Sequence, residues 1–172
     1  MNIFLIGYRA TGKSTVARKI AATLGLKCVD SDALIAQAAG MTIAEIFAAE
    51  TEEGFRDRES GVVAQIALGD NQVVALGGGA VLRRENQAAI RNQGTIVWLQ
   101  ASVDSVCERL TKDSQTQSQR PPLTTHDLHA EVSELMERRR EIYVDIADFA
   151  VDTESLAADE VACEIIATLP AS

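Results

Sequence analysis

The stretch "GYRATGKST", Gly7 to Thr15, lies between the apolar run "NIFLI" and the helix-like run "VARKIAATLGL". Gly7 to Ser14 fits G-x-x-x-x-G-K-[ST], and a strand before it with a helix after it is the context in which that pattern forms a P-loop. Glycines let the backbone curl until successive N–H groups face one phosphate cluster, at a helix N-terminus whose dipole favours anions. Lys13 adds a point charge at the β/γ-phosphates, and the Ser14 hydroxyl is of the type that ligates Mg²⁺. A simple turn needs at most one of these residues. The segment reads as a nucleoside triphosphate site.

Strand-like and helix-like runs alternate along the rest of the chain. The strand candidates are "NIFLIG", "KCVD", "QVVALG", "TIVWLQ" and "DFAVDT". Between them lie helical patterns, including one unbroken pattern from Thr42 to Gly69 and a later one in "AEVSELMERRREIYVDIA". Continuous apolar strands alternating with helices predict an α/β fold, a parallel sheet covered on both faces. The 172 residues suit one domain, and neither a repeat nor a linker divides them. Lys112 to Asp127, "KDSQTQSQRPPLTTHD", is polar and aperiodic, and is expected to be a mobile lid.

A net charge of −9 argues against nucleic acid as the main partner and makes each clustered cation informative. No apolar stretch approaches the ~20 residues of a membrane span, and "MNIFLIG" lacks the features of an export signal. Cys28, Cys107 and Cys163 are scattered and without metal-ligand spacing, which predicts a reducing cytoplasm and thiols used for core packing.

Three further constellations concern the group that receives phosphate. In "VDSDAL", Asp30 and Asp32 end a strand, and alternate residues of an extended segment share a face. One carboxylate can hold Mg²⁺ through water while the other takes an acceptor hydroxyl; alternatively, one of them caps the next helix. In "GFRDRES", Arg56 has Glu52 at i−4 and Glu59 at i+3, which is equally the spacing of a surface ion pair. In "VVALGGGAVL", a buried-looking strand runs into Gly77, Gly78 and Gly79, a turn or a place of close approach to a ligand. Ligands of open α/β sheets bind beyond the carboxyl ends of the strands, where all these segments lie. Carboxylates, arginine forks and bare backbone suit a small hydroxylated acid. A nucleobase acceptor fits less well, since aromatic residues are 4% of the chain; Phe47 and Phe55 could wall such a pocket, but their helical spacing favours ordinary core packing.

Taken together, "GYRATGKST", "VDSDAL", "GFRDRES", "LGGGAV", "RPPL" and "RREIY" resemble the shikimate kinase family over nearly the whole chain. The resemblance implies a nucleoside-monophosphate-kinase-like P-loop fold with a five-stranded parallel sheet in 2-3-1-4-5 order. It implies ATP-dependent phosphorylation of the shikimate 3-hydroxyl, with Mg²⁺, on the route to aromatic amino acids. By motif position, Gly7, Ala10, Thr11, Gly12, Lys13, Ser14 and Thr15 would hold the nucleotide, with Arg109 stacked on adenine. Ser14 and Asp30 would serve the metal, and Asp32 would contact ring hydroxyls as the candidate base. Arg56 and Arg139 would grip the carboxylate, Gly78 and Gly79 would touch a hydroxyl, and Glu59 would orient an arginine. Arg120 would be the lid arginine that reaches the transferring phosphate. Ala10 departs from the pattern, standing where relatives carry glycine, and alanine prefers negative φ. Glu141 departs too, replacing a common proline.

The expected partners are shikimate and ATP, with neither nucleic acid nor membrane, and the expected form is a monomer. The rival readings are a gluconate or nucleoside monophosphate kinase and a catalytically silent nucleotide-binding protein.

Overall fold

In the run Asn2–Ile6, Ile3 and Leu5 face one way and Phe4 and Ile6 the other, and all four are fully buried. This strand, β1, is therefore central, with a core on each side. The computed structural model describes residues 1–112 and 125–170. Around β1 lie β2 (Lys27–Asp30), β3 (Gln72–Ala75), β4 (Thr95–Gln100) and β5 (Phe149–Asp152). All pairings are parallel and the order is β2-β3-β1-β4-β5, as the resemblance implied. On one face α1 (Lys13–Leu24) and α8 (Ala158–Thr168) bring Val16, Ile20, Val161 and Ile165 against Ile3, Leu5, Val97 and Leu99. On the other, Val63 and Ile66 of α4 (Glu52–Ala67), Ile90 of α5 (Arg84–Ile90) and Tyr143 and Ile146 of α7 (Thr125–Ile146) meet Phe4, Ile6, Val74 and Ile96.

Local chemistry sets the helix ends that matter for the site. Gly12 precedes α1 at φ 91, a left-handed conformation that glycine adopts at no steric cost. Asp30 caps α2 (Ser31–Ala39), its carboxylate accepting from the N–H groups of Asp32 and Ala33 at 3.1 and 3.2 Å. The single helix expected from Thr42 to Gly69 is instead two, α3 (Ile43–Ala49) and α4. Thr51 causes the break: it is extended, and its hydroxyl accepts the Gly54 N–H as an N-cap, a contact worth about 1 kcal/mol. The turn lets Phe55 of α4 bury beside Ile46 of α3 and Ile35 of α2.

Other expectations also need correction. Phe47 is 43% exposed rather than core, stacked on the buried Phe55 with ring centroids 4.3 Å apart. Cys28 and Cys163 are exposed, not core: Cys28 lies on the edge strand β2 and lines an open cleft beside α1, and Cys163 lies off the buried stripe of α8. Part of the expected lid is helical: Lys112 ends α6 (Val103–Lys112) and Thr125 to Asp127 open α7. Residues 113–124, with Arg120 among them, lie outside the described residues.

Candidate active site

The P-loop leaves β1 and enters α1 in a tight internal network. The Lys13 ammonium is buried and donates to the carbonyls of Gly7 and Tyr8 at 2.9 and 2.6 Å. The Thr11 hydroxyl, also buried, donates to the same Tyr8 carbonyl at 2.8 Å. Ala10 corrects the expectation of negative φ, since it stands at φ 60. That conformation costs an alanine about 1–2 kcal/mol, and Arg109 helps fix it by donating to the Ala10 carbonyl at 3.3 Å. Arg109 also donates to the Thr153 hydroxyl and carbonyl at 3.2 and 3.1 Å, tying the loop to the chain beyond β5. Ser14 and Thr15 are exposed in the first turn of α1.

A cleft of about 300 Å³ joins the P-loop to Asp30, Asp32 and the Leu76–Gly78 turn. The Ser14 hydroxyl donates to Asp30 Oδ2 at 2.6 Å while Asp30 Oδ1 caps α2, so Asp30 is the helix cap and its second oxygen turns to the P-loop serine. A Cβ placed on Gly77 would stand 2.6 Å from Asp32 Oδ1 and 3.1 Å from Glu59 Oε1. One placed on Gly79 would meet the Arg56 guanidinium, with Nη2 at 2.6 Å. The glycine run is a place of close approach, where an added side chain would displace Asp32 or Arg56.

Arg56 and Arg139 enter from different helices on the same face of the sheet. Arg56, on α4, donates to Glu59 at 2.7 Å, and Glu59 is 1% exposed; it also donates to the exposed Glu52 at 3.4 Å, so a buried pair stands beside the surface pair its spacing allowed. Arg139, on α7, donates to the Gly78 carbonyl at 3.1 Å, and the Tyr143 hydroxyl donates to the same oxygen at 2.8 Å. Of its neighbours, Arg138 pairs with Glu134 on the exposed surface, and Arg140 lines a separate cavity between α7 and the ends of β4 and β5.

Burial sets the protonation chemistry. It pushes the Asp32 carboxyl up to about 6, helped by Asp30 and Glu59 and opposed by Lys13 and Arg56. Burial lowers Lys13 to about 8, with Asp32 and Asp30 resisting and Arg139 adding to the fall. Glu59 is raised by burial against the pull of Arg56, Arg139 and Arg83. The Tyr143 hydroxyl, pushed up to about 12 by burial, stays a donor at neutral pH. The cleft thus pairs a carboxylate poised near neutrality with a lysine whose charge is held by that carboxylate.

Two supporting residues escaped the sequence reading. Ser31 is fully buried, and its hydroxyl accepts the Gly77 N–H at 2.8 Å, pinning the glycine turn to the start of α2. Its signal was a small hydroxyl residue between two aspartates at a helix start. Tyr8 occupies a free position of the P-loop pattern, and nothing in the sequence marks it.

The comparisons with known proteins agree with this geometry. The shikimate kinase family profile matches residues 9–170. The chain is 42% identical over 171 residues to a shikimate kinase of Rhodopirellula baltica, covering 99% of this chain and 91% of that one. A shikimate kinase of Symbiobacterium thermophilum is 43% identical over 169 residues, covering 98% and 96%. Among solved structures, the shikimate kinase from Acinetobacter baumannii in complex with shikimate superposes with a TM-score of 0.88, at 33% identity over 96% of this chain and 90% of that one. A gluconokinase from Sinorhizobium meliloti 1021 shares the fold alone, with a TM-score of 0.59 and 19% identity over 96% of this chain and 89% of that one. Identity above 40% across nearly the whole length of both partners is a family relationship, and this chain belongs to the shikimate kinase family.

Proposed function

We propose that this chain transfers the γ-phosphoryl group of ATP to the 3-hydroxyl of shikimate, giving shikimate 3-phosphate and ADP on the route to aromatic amino acids. The observation that carries the reading is the convergence of Lys13 and Asp32 on one cleft whose far side, at Gly77–Gly79, is bounded by Arg56 and Arg139. That supports reading a phosphate cradle beside a site with carboxylate acceptors for hydroxyls and guanidinium forks for an acid.

In this reading Lys13 leaves the Gly7 and Tyr8 carbonyls to meet the β/γ-phosphates, and the P-loop from Gly7 to Thr15 wraps them. Asp32 orients the acceptor hydroxyl in line and takes its proton, and Arg56 and Arg139 hold the shikimate carboxylate. The Ser14 hydroxyl and Asp30 carboxylate, 2.6 Å apart and open to solvent, fit a hard cation that keeps several waters and shares phosphate oxygens. Mg²⁺ bound there would neutralise charge on those oxygens. Arg109 on the adenine, backbone at Gly78 and Gly79 on a hydroxyl, and Arg120 on the transferring phosphate complete the proposal. We also read the chain as one domain over residues 1–172 with a lid between the helix ends at Lys112 and Thr125, acting as a cytoplasmic monomer; these points rest on the sequence.

The test is ADP formation by the purified chain with ATP and Mg²⁺ against shikimate, gluconate and nucleoside monophosphates, with the product identified by mass spectrometry. Shikimate-dependent ADP and shikimate 3-phosphate are expected. Turnover confined to another acceptor, or nucleotide binding with no transfer to any of them, overturns the reading.

A further inference from the structure

Tyr8 sits at a position that the P-loop pattern leaves free, yet it is only 2% exposed. Its ring belongs to an apolar cluster with Val106 and Leu110 of α6 and Val132 of α7. Two guanidinium groups approach it, Arg139 with Cζ at 5.4 Å from the ring centroid and Arg9 with Cζ at 5.8 Å. Arg9 has Glu131 at 3.9 Å. Arg139 has no carboxylate partner within salt-bridge distance among the described residues; its contacts include the Tyr8 ring, the Gly78 carbonyl and the Tyr143 hydroxyl.

We propose that Tyr8 is a positioning residue for the acceptor site, its ring holding the Arg139 guanidinium in the orientation that receives the acid group of the substrate. The inference rests on the role given to Arg139 above. A ring engages the face of a guanidinium, whereas carboxylates bind its N–H edge, so the two contacts do not compete. The Gly78 carbonyl takes one edge N–H and leaves others for a ligand. An unsupported arginine gives up considerable rotamer freedom when it binds; one held between a packed ring and a carbonyl has given it up already. Support of this kind acts equally on ground state and transition state, so it belongs in the acceptor KM rather than in kcat. The ring itself is held by α6 and α7, not by the arginine, so it can serve as a fixed platform.

The experiment is steady-state kinetics with both substrates varied. Tyr8→Leu keeps apolar bulk and loses the π face, and should raise the shikimate KM by about 5- to 30-fold, the range for a partly desolvated cation–π contact. kcat and the ATP KM should change far less than the shikimate KM. Tyr8→Phe keeps the face and should leave the shikimate KM well below that of Tyr8→Leu. Pentafluorophenylalanine at position 8 preserves packing and reverses the ring quadrupole; it should raise the shikimate KM even if Tyr8→Leu fails to fold. In an Arg139→Ala background, Tyr8→Leu should add nothing. The proposal is overturned if Arg139→Ala raises the shikimate KM while the fluorinated ring does not, or if the ATP KM rises in step. An Arg139→Ala enzyme with an unchanged shikimate KM overturns the arginine's role itself, and this proposal with it.

Discussion

Asp32 and Gly77 are in such close approach that a single methyl group on the glycine would stand 2.6 Å from Oδ1 of the carboxylate. Gly77 does not need the left-handed conformation, so Gly77→Ala acts through the displaced aspartate and not through backbone strain. The neighbouring Glu59 carboxylate stands 3.1 Å from the same point, so the methyl group presses on both acidic groups. A shift of about 1 Å in a reacting group can cost on the order of 10²-fold in rate, and a kcat loss of that order is expected. Nucleotide affinity, measured by calorimetry, should stay put because the P-loop is untouched. A Gly77→Ala enzyme with wild-type kcat would mean that the position of Asp32 does not matter.

Arg56 and Arg139 should each cost acceptor affinity when truncated, and Arg138 should not. Charge-assisted hydrogen bonds to a carboxylate are worth about 1.5–3 kcal/mol, or roughly 10- to 150-fold in affinity. Arg138 is spent on an exposed pair with Glu134, of the sort that contributes little. Titration of shikimate into each alanine variant distinguishes them, with ATP affinity as the control. If Arg140→Ala loses shikimate binding and Arg139→Ala does not, the acid is held one residue further along the helix.

The dependence of kcat/KM on pH should be bell-shaped, since that ratio reports groups of the free enzyme. Asp32 must be ionised to accept a proton, and with its carboxyl pushed up to about 6 the rate should fall as pH drops through 6. Lys13 must be charged to meet phosphate, and at about 8 it loses that charge as pH rises, giving the alkaline limb. Lys13→Ala should abolish transfer while the fold, followed by circular dichroism, survives. Retention of near-wild-type kcat by that variant would remove the P-loop assignment.

The parts of this site visible in the sequence are those that neighbouring residues determine. A strand, a glycine-bearing turn and a helix specify the P-loop locally, and the inner strands β1, β3 and β4 are apolar runs that need no partner to be recognised. Asp30 and Asp32 share a segment, so their shared cleft could be read as well. What escaped depends on residues distant in the chain or on competing local energies. Thr51 stops a helix that periodicity alone would continue, because a side-chain cap outweighs one more turn. Ala10 is driven to φ 60 within a loop tied down by Arg109 and by the Thr11 and Lys13 bonds to Tyr8. The meeting of Tyr8 with Arg139, and of Ser31 with Gly77, exists only once the sheet is assembled.

Asp32 carries the most exacting prediction. In a loose phosphoryl-transfer transition state the acceptor oxygen is barely deprotonated as the bond to the leaving group breaks, so positioning could supply most of what a carboxylate contributes. The environment argues for more than that. A carboxyl pushed up to about 6 by burial and by Asp30 has the basicity that general-base catalysis near neutral pH favours, while Lys13 beside it keeps the ionised form accessible. Asp32→Asn preserves shape and one acceptor oxygen but removes the proton sink. General-base help is typically worth ~10²–10⁴-fold, and a kcat loss near the top of that range is expected. The measurement is single-turnover transfer at saturating ATP and shikimate, with nucleotide binding by the same variant as the control. The acid limb of the pH profile should vanish with the carboxyl. A loss under about tenfold, with the limb near pH 6 still present, would leave Asp32 as a positioning residue and assign the limb to another group.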